Sequence, residues 1–205
     1  AFYERFILGK WTAPQGLVYP MFTAADHVRE PEGTPTQYRM SCDYGTVNPC
    51  SVGLWGLFGK CWFRMDEYYY DSRTRGRQRT DEEHYRALET LAGDKDIAMV
   101  IVDPSAASFI ECIRRHGRFA AVPARNEVVD GIRRVSDALK NGELAVSARC
   151  RDTIREFGLY RWDERSAKDT PRKEHDHAMD DVRYFVSAGL RNSDNGFFAL
   201  GVRRG

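Results

Sequence analysis

The sequence predicts an α/β domain in three layers: a mixed central sheet, opened by an antiparallel three-strand meander, with helices on both faces. Two observations carry this prediction. Residues 38–70 read as strands and turns without a break, and from residue 80 onward helical periodicity alternates with short apolar runs. Strands first and strand–helix units second is the grammar of a mixed sheet covered on two sides. With 205 residues, the chain has the length for one such domain and an ample core, plus at most a short appendage.

The appendage comes first. Gly9, Pro14, Gly16, Pro20, Pro31, Gly33 and Pro35 interrupt every pattern in residues 1–37, which read as a lead-in to a domain spanning 38–205. Residues 38–43 then alternate, with Tyr38, Met40 and Cys42 on one face and Arg39, Ser41 and Asp43 on the other. A turn from Gly45 to Pro49 leads into two β-rich runs, residues 50–58 and 61–70, joined by Gly59-Lys60. Thr80 and Glu83 make a capping box, and Tyr85, Leu88 and Leu91 follow on one helical face. The unbroken apolar run from Ile97 to Val102 predicts a strand buried on both faces, ending at Asp103-Pro104. Ser105 is expected to cap a helix through Phe109, Ile110 and Ile113 that stops near Gly117, and residues 119–122 to form a short strand. Val128, Ile132, Val135 and Leu139 share a helical face closed by Asn141-Gly142. A helix around Ile154 and Phe157, a polar loop over 163–174 and a helix carrying Met179, Val182, Val186 and Leu190 come last.

Composition excludes several classes of function. Thirty-one Lys and Arg against 30 Asp and Glu leave a formal charge of +1, so the chain is no polycation that holds nucleic acid by bulk attraction. Its 30% charged content still permits strong local fields of both signs. The longest apolar run, Ile97 to Val102, falls far short of the roughly 20 residues that cross a bilayer, and no membrane partner is expected. Cys42, Cys50, Cys61, Cys112 and Cys150 are odd in number and form no CxxC pair, which argues against a disulfide framework or a zinc ribbon and for a reducing compartment. The chain opens at Ala1 without an initiator Met and is expected to be a piece of a longer protein.

Sites in open α/β sheets form beyond the carboxyl ends of the central strands. Asp43 and Asp103 each end a predicted strand, and Asp176, His177, Asp180 and Asp181 open the last helix, where His177 and Asp180 share a face. One at a time, these are ordinary turn and cap residues. Together, this topology brings three carboxylates to one place. Such carboxylates repel one another unless a proton or a cation intervenes. Hard oxygen donors suit Mg²⁺ or Mn²⁺, and two such ions can activate a water and stabilise a leaving oxygen in phosphodiester cleavage. Two strand-end aspartates and one helix aspartate are thus expected to make the constellation of a two-metal nuclease.

The matching segments are Ser41-Cys42-Asp43-Tyr44-Gly45, Val100 through Asp103 to Ala106, Arg125 through Asn126 to Ile132, and Asp176-His177-Ala178-Met179-Asp180-Asp181-Val182-Arg183-Tyr184. On these the chain resembles the nuclease domain of the large terminase subunit of tailed bacteriophages, a ribonuclease-H-like endonuclease. Arg5 to Trp11 and Gly16 to Pro20 are similar to the segment that joins that family's ATPase and nuclease domains. The resemblance covers most of the chain, and the motif in the last helix is its most specific part. It implies Asp43, Asp103 and Asp180 as metal-binding carboxylates, with His177 as an auxiliary site residue and Asp181 a less favoured substitute for Asp180. It also implies partners: double-stranded DNA, an ATPase domain of the same polypeptide, the small terminase subunit and the portal protein. The location implied is the host cytoplasm, transiently at the procapsid portal.

No phosphate loop is expected here, because Leu54 and Cys61 stand where Gly and Ser or Thr are required around Gly59-Lys60. DNA contacts are expected from Arg73, Arg75, Arg77 and Arg79 in one basic stretch and Lys168, Arg172 and Lys173 in another. Trp55, Trp62 and Trp162 are assigned to packing rather than to base stacking. The function expected is metal-dependent cleavage of double-stranded DNA with little sequence preference, in headful genome packaging. A junction resolvase of the same fold and a non-catalytic module docking DNA or portal are the alternatives; a glycosidase lacks aromatic platforms beside its acids.

Overall fold

A computed structural model of the chain describes residues 16–166 and 169–190. Six strands among these residues form one sheet: β1 (Gln37–Asp43), β2 (Cys50–Phe58), β3 (Cys61–Tyr70), β4 (Ile97–Val102), β5 (Ala121–Pro123) and β6 (Leu144–Val146). Their spatial order is β5-β4-β1-β2-β3-β6. β1, β2 and β3 pair antiparallel, as the meander predicts. Gly59, at φ 61°, supplies the left-handed backbone needed by the two-residue turn between Phe58 and Cys61. β4 lies parallel to β1, β5 to β4, and β6 to β3. The sheet is mixed, with β1 and β2 at its centre and β4 beside β1.

Two short helices, α1 (Ala24–His27) and α2 (Ser72–Arg75), flank the meander. α3 (Asp81–Ala92) and α4 (Ala107–His116) cover one face, burying Met40, Cys42, Val52, Leu54, Val100 and Val102. α5 (Val128–Lys140), α6 (Arg151–Leu159) and α7 (His177–Gly189) cover the other, over Trp55, Trp62, Ile101 and Val146. Phe185 of α7 stacks on Trp55 at 3.9 Å between ring centroids and meets Trp62 edge-on at 5.1 Å. Each such ring contributes about 1.5–3 kcal/mol by leaving water. The alternation of β1 follows from this layering: Met40 and Cys42 face α3 and α4, while Arg39 and Ser41, polar yet buried, face the other way. Among the described residues, no helix is long and apolar enough to cross a membrane.

Caps follow the sequence in α3, where the Thr80 side chain accepts from Glu83 N and the Glu83 side chain accepts from Thr80 N. They depart from it in α4. Ala106, not Ser105, stands at the N-cap with no side-chain bond, because Ser105 turns its amide and hydroxyl toward Asp103. The strand expected at 119–122 is displaced to Ala121–Pro123, and Phe119 instead fills the core beneath α3 and α4. β6 was not expected: three residues are too few to show a period. In the lead-in, Leu17 bridges Arg161, Val28 bridges Val146, and Val18 and Tyr19 are buried against the α5–α7 face. The motif from Arg5 to Trp11 lies outside the described residues.

Candidate active site

β1 and β4 pair with Cys42 beside Val102, so the next residues, Asp43 and Asp103, emerge side by side at the strand ends. Asp103 N donates to the Cys42 carbonyl at 2.9 Å, tying the two ends together. The first turn of α7 brings His177 and Asp180 to the same edge. All four residues line one cleft of about 1040 Å³. The three aspartates are only 8–9% exposed.

Each carboxylate is held by its own partner. Asp103 accepts from Ser105 N at 2.9 Å and Ser105 Oγ at 2.7 Å. Asp180 Oδ1 accepts from Arg183 Nε at 3.1 Å, with Arg183 Nη2 at 3.0 Å. Asp43 Oδ2 is hydrogen-bonded to His177 Nδ1 at 3.0 Å. Burial pushes the Asp43 carboxyl up to about 7; the His177 bond opposes this, and the charges of Asp180 and Asp103 add to it. Burial alone would lower His177, but the bond to Asp43 and the charges of Asp43, Asp176 and Glu156 outweigh it and raise the ring. Asp176 is also raised, chiefly by burial.

These shifts describe a cluster short of positive charge, served by Arg183 and by Lys173 Nζ, 3.7 Å from Asp180 and from Asp176. All its acidic donors are hard carboxylate oxygens, the set that Mg²⁺ or Mn²⁺ takes, so the residues present fit such ions. The carboxylates are spread along the cleft: among the described residues, the one trio of Cys, His, Asp or Glu with ligand atoms all within 4.8 Å of one another lies elsewhere.

A second layer fixes α7. Glu156 of α6, fully buried, accepts from Ala178 N at 2.7 Å and from Tyr69 Oη at 2.6 Å. It satisfies a free amide of the first turn, a task that Asp176, at the N-cap position, does not perform with its side chain. Asp181 points into the sheet, where Arg64 Nη2 lies at 2.7 Å and Ser51 Oγ donates at 3.0 Å. Burial raises Asp181 to about 6 against the pull of Arg64. Consecutive aspartates therefore face opposite ways, Asp180 to the cleft and Asp181 to the core.

Both arginines occupy space left by glycines. A Cβ at Gly53 would collide with the Arg64 guanidinium, and one at Gly131 would fall 2.5 Å from Arg183 Cγ. Arg183 also donates to Asn126 Oδ1 at 3.2 Å, and Tyr184 Oη donates to the same oxygen at 3.4 Å. The alanine propensity gain in a helix is about 0.5–1 kcal/mol, whereas overpacking costs about 1–3 kcal/mol. Gly131→Ala is therefore expected to destabilise the fold; a rise in its urea midpoint would refute this close approach.

Of the basic residues expected at DNA, Arg73 and Lys173 line the cleft. Arg73 Nη2 donates to Asn48 Oδ1 at 2.7 Å from the turn that Asp71 caps. Arg77 is paired with Glu83. Arg79 stacks on Tyr70 at 4.2 Å and donates to Tyr68 Oη at 3.0 Å, a packing role. Arg75 and Arg172 are exposed but do not line the cleft, and Lys168 lies outside the described residues. Arg155, on the cleft wall over Tyr69, was missed, as were the supporting roles of Ser105, Asn126 and Glu156. No local signal marks Arg155, Asn126 or Glu156, since the groups they meet come from other elements.

Comparison with known proteins agrees with this architecture. Residues 58–188 match the Terminase RNaseH-like domain family. The chain is 42% identical to the large terminase of a thermophilic bacteriophage, solved in complex with ADP, at a TM-score of 0.84 over 94% of this chain and 49% of that one. It is 24% identical to the large terminase subunit of Escherichia phage T5, over 84% of this chain and 42% of the relative. The large terminase nuclease of thermophilic phage G20c, with bound magnesium, shares the fold at a TM-score of 0.58 and 15% identity, over 85% of this chain and 98% of that one. The chain thus spans somewhat under half the length of its full-length relatives. It belongs to the Terminase RNaseH-like domain family.

Proposed function

We propose that this member of the terminase family is a divalent-metal-dependent endonuclease that cuts double-stranded DNA with little sequence preference during viral genome packaging. The observation that carries the reading is the convergence of Asp43, Asp103 and Asp180, from two adjacent strand ends and one helix, in a single cleft beside His177. The three aspartates would hold Mg²⁺ or Mn²⁺, two ions rather than one given their spread; the G20c relative was solved with magnesium. Bound there, the ions would supply Lewis acidity, lowering the pKa of an attacking water and offsetting charge on the phosphate.

The chain's own residues orient and select. The hydrogen bond between His177 Nδ1 and Asp43 Oδ2 fixes that carboxylate's direction. Ser105 and Arg183 do the same for Asp103 and Asp180. Arg73, Arg155 and Lys173 on the cleft wall receive backbone phosphates, which position DNA without reading its sequence. An ATPase domain of the same polypeptide, the small terminase subunit and the portal are the further partners we propose, with action at the procapsid portal in the host cytoplasm.

Plasmid cleavage tests this reading. Activity should need Mg²⁺ or Mn²⁺ and vanish in EDTA. Strong preference for branched DNA would instead indicate a junction resolvase, and binding without cleavage at any protein concentration a docking module. A pH dependence follows from Asp43. With its free-site pKa at about 7, an incoming cation must expel a proton below that pH and none above it. Metal affinity is therefore expected to fall about tenfold per pH unit below about 7. Calorimetry in buffers of different ionisation enthalpy should show close to one proton released per chain at pH 6 and few at pH 8. Equal release at both would remove Asp43 from the metal's ligands.

A further inference from the structure

We propose that Glu82, Cys112 and His116 form a second metal site, for a zinc-class ion, on the sheet face away from the cleft. Cys112 and His116 stand at i and i+4 on α4 and so share one face of that helix, while Glu82 reaches across from the first turn of α3. Glu82 Oε1 lies 3.6 Å from Cys112 Sγ, and Glu82 Oε2 lies 2.8 Å from His116 Nε2. All three ligand atoms fall within 4.8 Å of one another. Tetrahedral zinc with sulfur, nitrogen and oxygen donors sets ligand separations of roughly 3.3–3.6 Å, so the side chains need only small adjustments.

The surroundings are built for a bound ion. The Tyr85 ring stacks on His116 at 3.8 Å and 8°, fixing the plane of the imidazole. Cys112 is fully buried and forms the floor, while the exposed Glu82 and His116 form the rim. The fourth position faces solvent and suits a water. Thiolate with imidazole is a softer set than the carboxylates of the cleft, so this site selects Zn²⁺ where the cleft selects Mg²⁺. Binding is balanced by one proton: the Cys112 thiol gives its proton to solvent, neutral His116 offers the Nε2 lone pair, and Glu82 enters ionised. Arg115, 3.8 Å from Glu82 Oε1 and well exposed, swings aside.

Such an ion would clip the start of α3 to the end of α4. α3 begins at Asp81, which accepts a hydrogen bond from Tyr44, the residue after Asp43. α4 begins just beyond the Asp103 turn. The clip thus braces both strand-end aspartates from behind and takes no part in chemistry. It stands independently of the proposed nuclease activity.

Cobalt titration of the whole chain tests it. Carboxylate-bound Co²⁺ in the cleft gives no sulfur charge-transfer absorption, whereas Co²⁺ on Cys112 does. The expected result is a thiolate-to-cobalt band that persists in Asp43→Ala/Asp180→Ala, is lost in Cys112→Ser, and is displaced by Zn²⁺. The surface variants His116→Gln and Glu82→Gln, which leave the buried sulfur in place, should each weaken Zn²⁺ binding at least tenfold, and Zn²⁺ should raise Tm in the parent but not in His116→Gln. A band that is absent in the parent, or that survives Cys112→Ser, overturns the site.

Discussion

Asp43→Asn is expected to lower DNA cleavage by about a thousandfold or more while making the metal-free fold more stable. The first effect follows from removing one anionic ligand from the centre of the cluster. Metal-borne charge stabilisation is worth several kcal/mol, and each 1.36 kcal/mol is a tenfold change in rate. The second effect follows from burial. The folded-state pKa of Asp43 is raised from an ordinary carboxylate value to about 7, so the native state binds a proton more tightly than the unfolded chain. Stability contributed at this residue falls as pH rises through that window, and above pH 7 the ionised group costs on the order of a few kcal/mol. Asparagine has the same shape and no charge, and it removes that cost. Plasmid nicking rates and urea midpoints at pH 8 in EDTA measure both effects. Retained cleavage, or a variant less stable than its parent under those conditions, would refute the assignment.

Asp181→Leu should be among the most damaging single changes to the fold. It strands the Arg64 guanidinium, completely buried, with Glu67 at 3.8 Å and the Ser51 hydroxyl at 3.3 Å as its remaining polar partners. Breaking one side of a buried ion pair costs about 3–5 kcal/mol, against a typical total stability of about 5–15 kcal/mol. The double replacement Arg64→Met/Asp181→Leu removes both charges together and should recover most of that loss. A single variant within about 0.5 kcal/mol of the parent by urea unfolding, the range of ordinary surface changes, would show that the pair carries little.

The contrast between Asp180 and Asp181 also marks how far the sequence was legible. Strand ends announce themselves through hydrophobic runs, so Asp43 and Asp103 were visible as a pair at the edge of the sheet. The helical period placed His177 and Asp180 on one face, and the cleft brings that face to the strand ends. What the period could not show is which basic residues are free. Arg73, Arg77 and Arg79 look equivalent in sequence, yet Asn48, Glu83 and a tyrosine pair engage them in turn, and these partners come from other elements. The cap of α4 failed for a related reason: the Ser105 amide and hydroxyl both donate to the Asp103 carboxylate, and the free amides of the helix go without a side-chain cap. Glu156, the cap of α7 in all but position, lies 21 residues upstream of His177 and leaves no local signal.

The two glycines beneath the arginines impose an order on change. At Gly131 the stem of Arg183 fills the volume a side chain would need, and at Gly53 the Arg64 guanidinium does so together with the Trp55 indole nitrogen. Substituted first, either glycine carries the cost of overpacking. At Gly53, removing Arg64 together with its aspartate still leaves Trp55 Nε1, tied to Ser41 Oγ, 2.8 Å from an added Cβ. At Gly131, surrendering Arg183 clears most of the space but also releases Asp180. A library that randomises 53, 55, 64, 131 and 183 together should therefore recover new residues at 53 only alongside changes at both 55 and 64, and large residues at 131 only alongside a changed 183, among proteins that cut poorly.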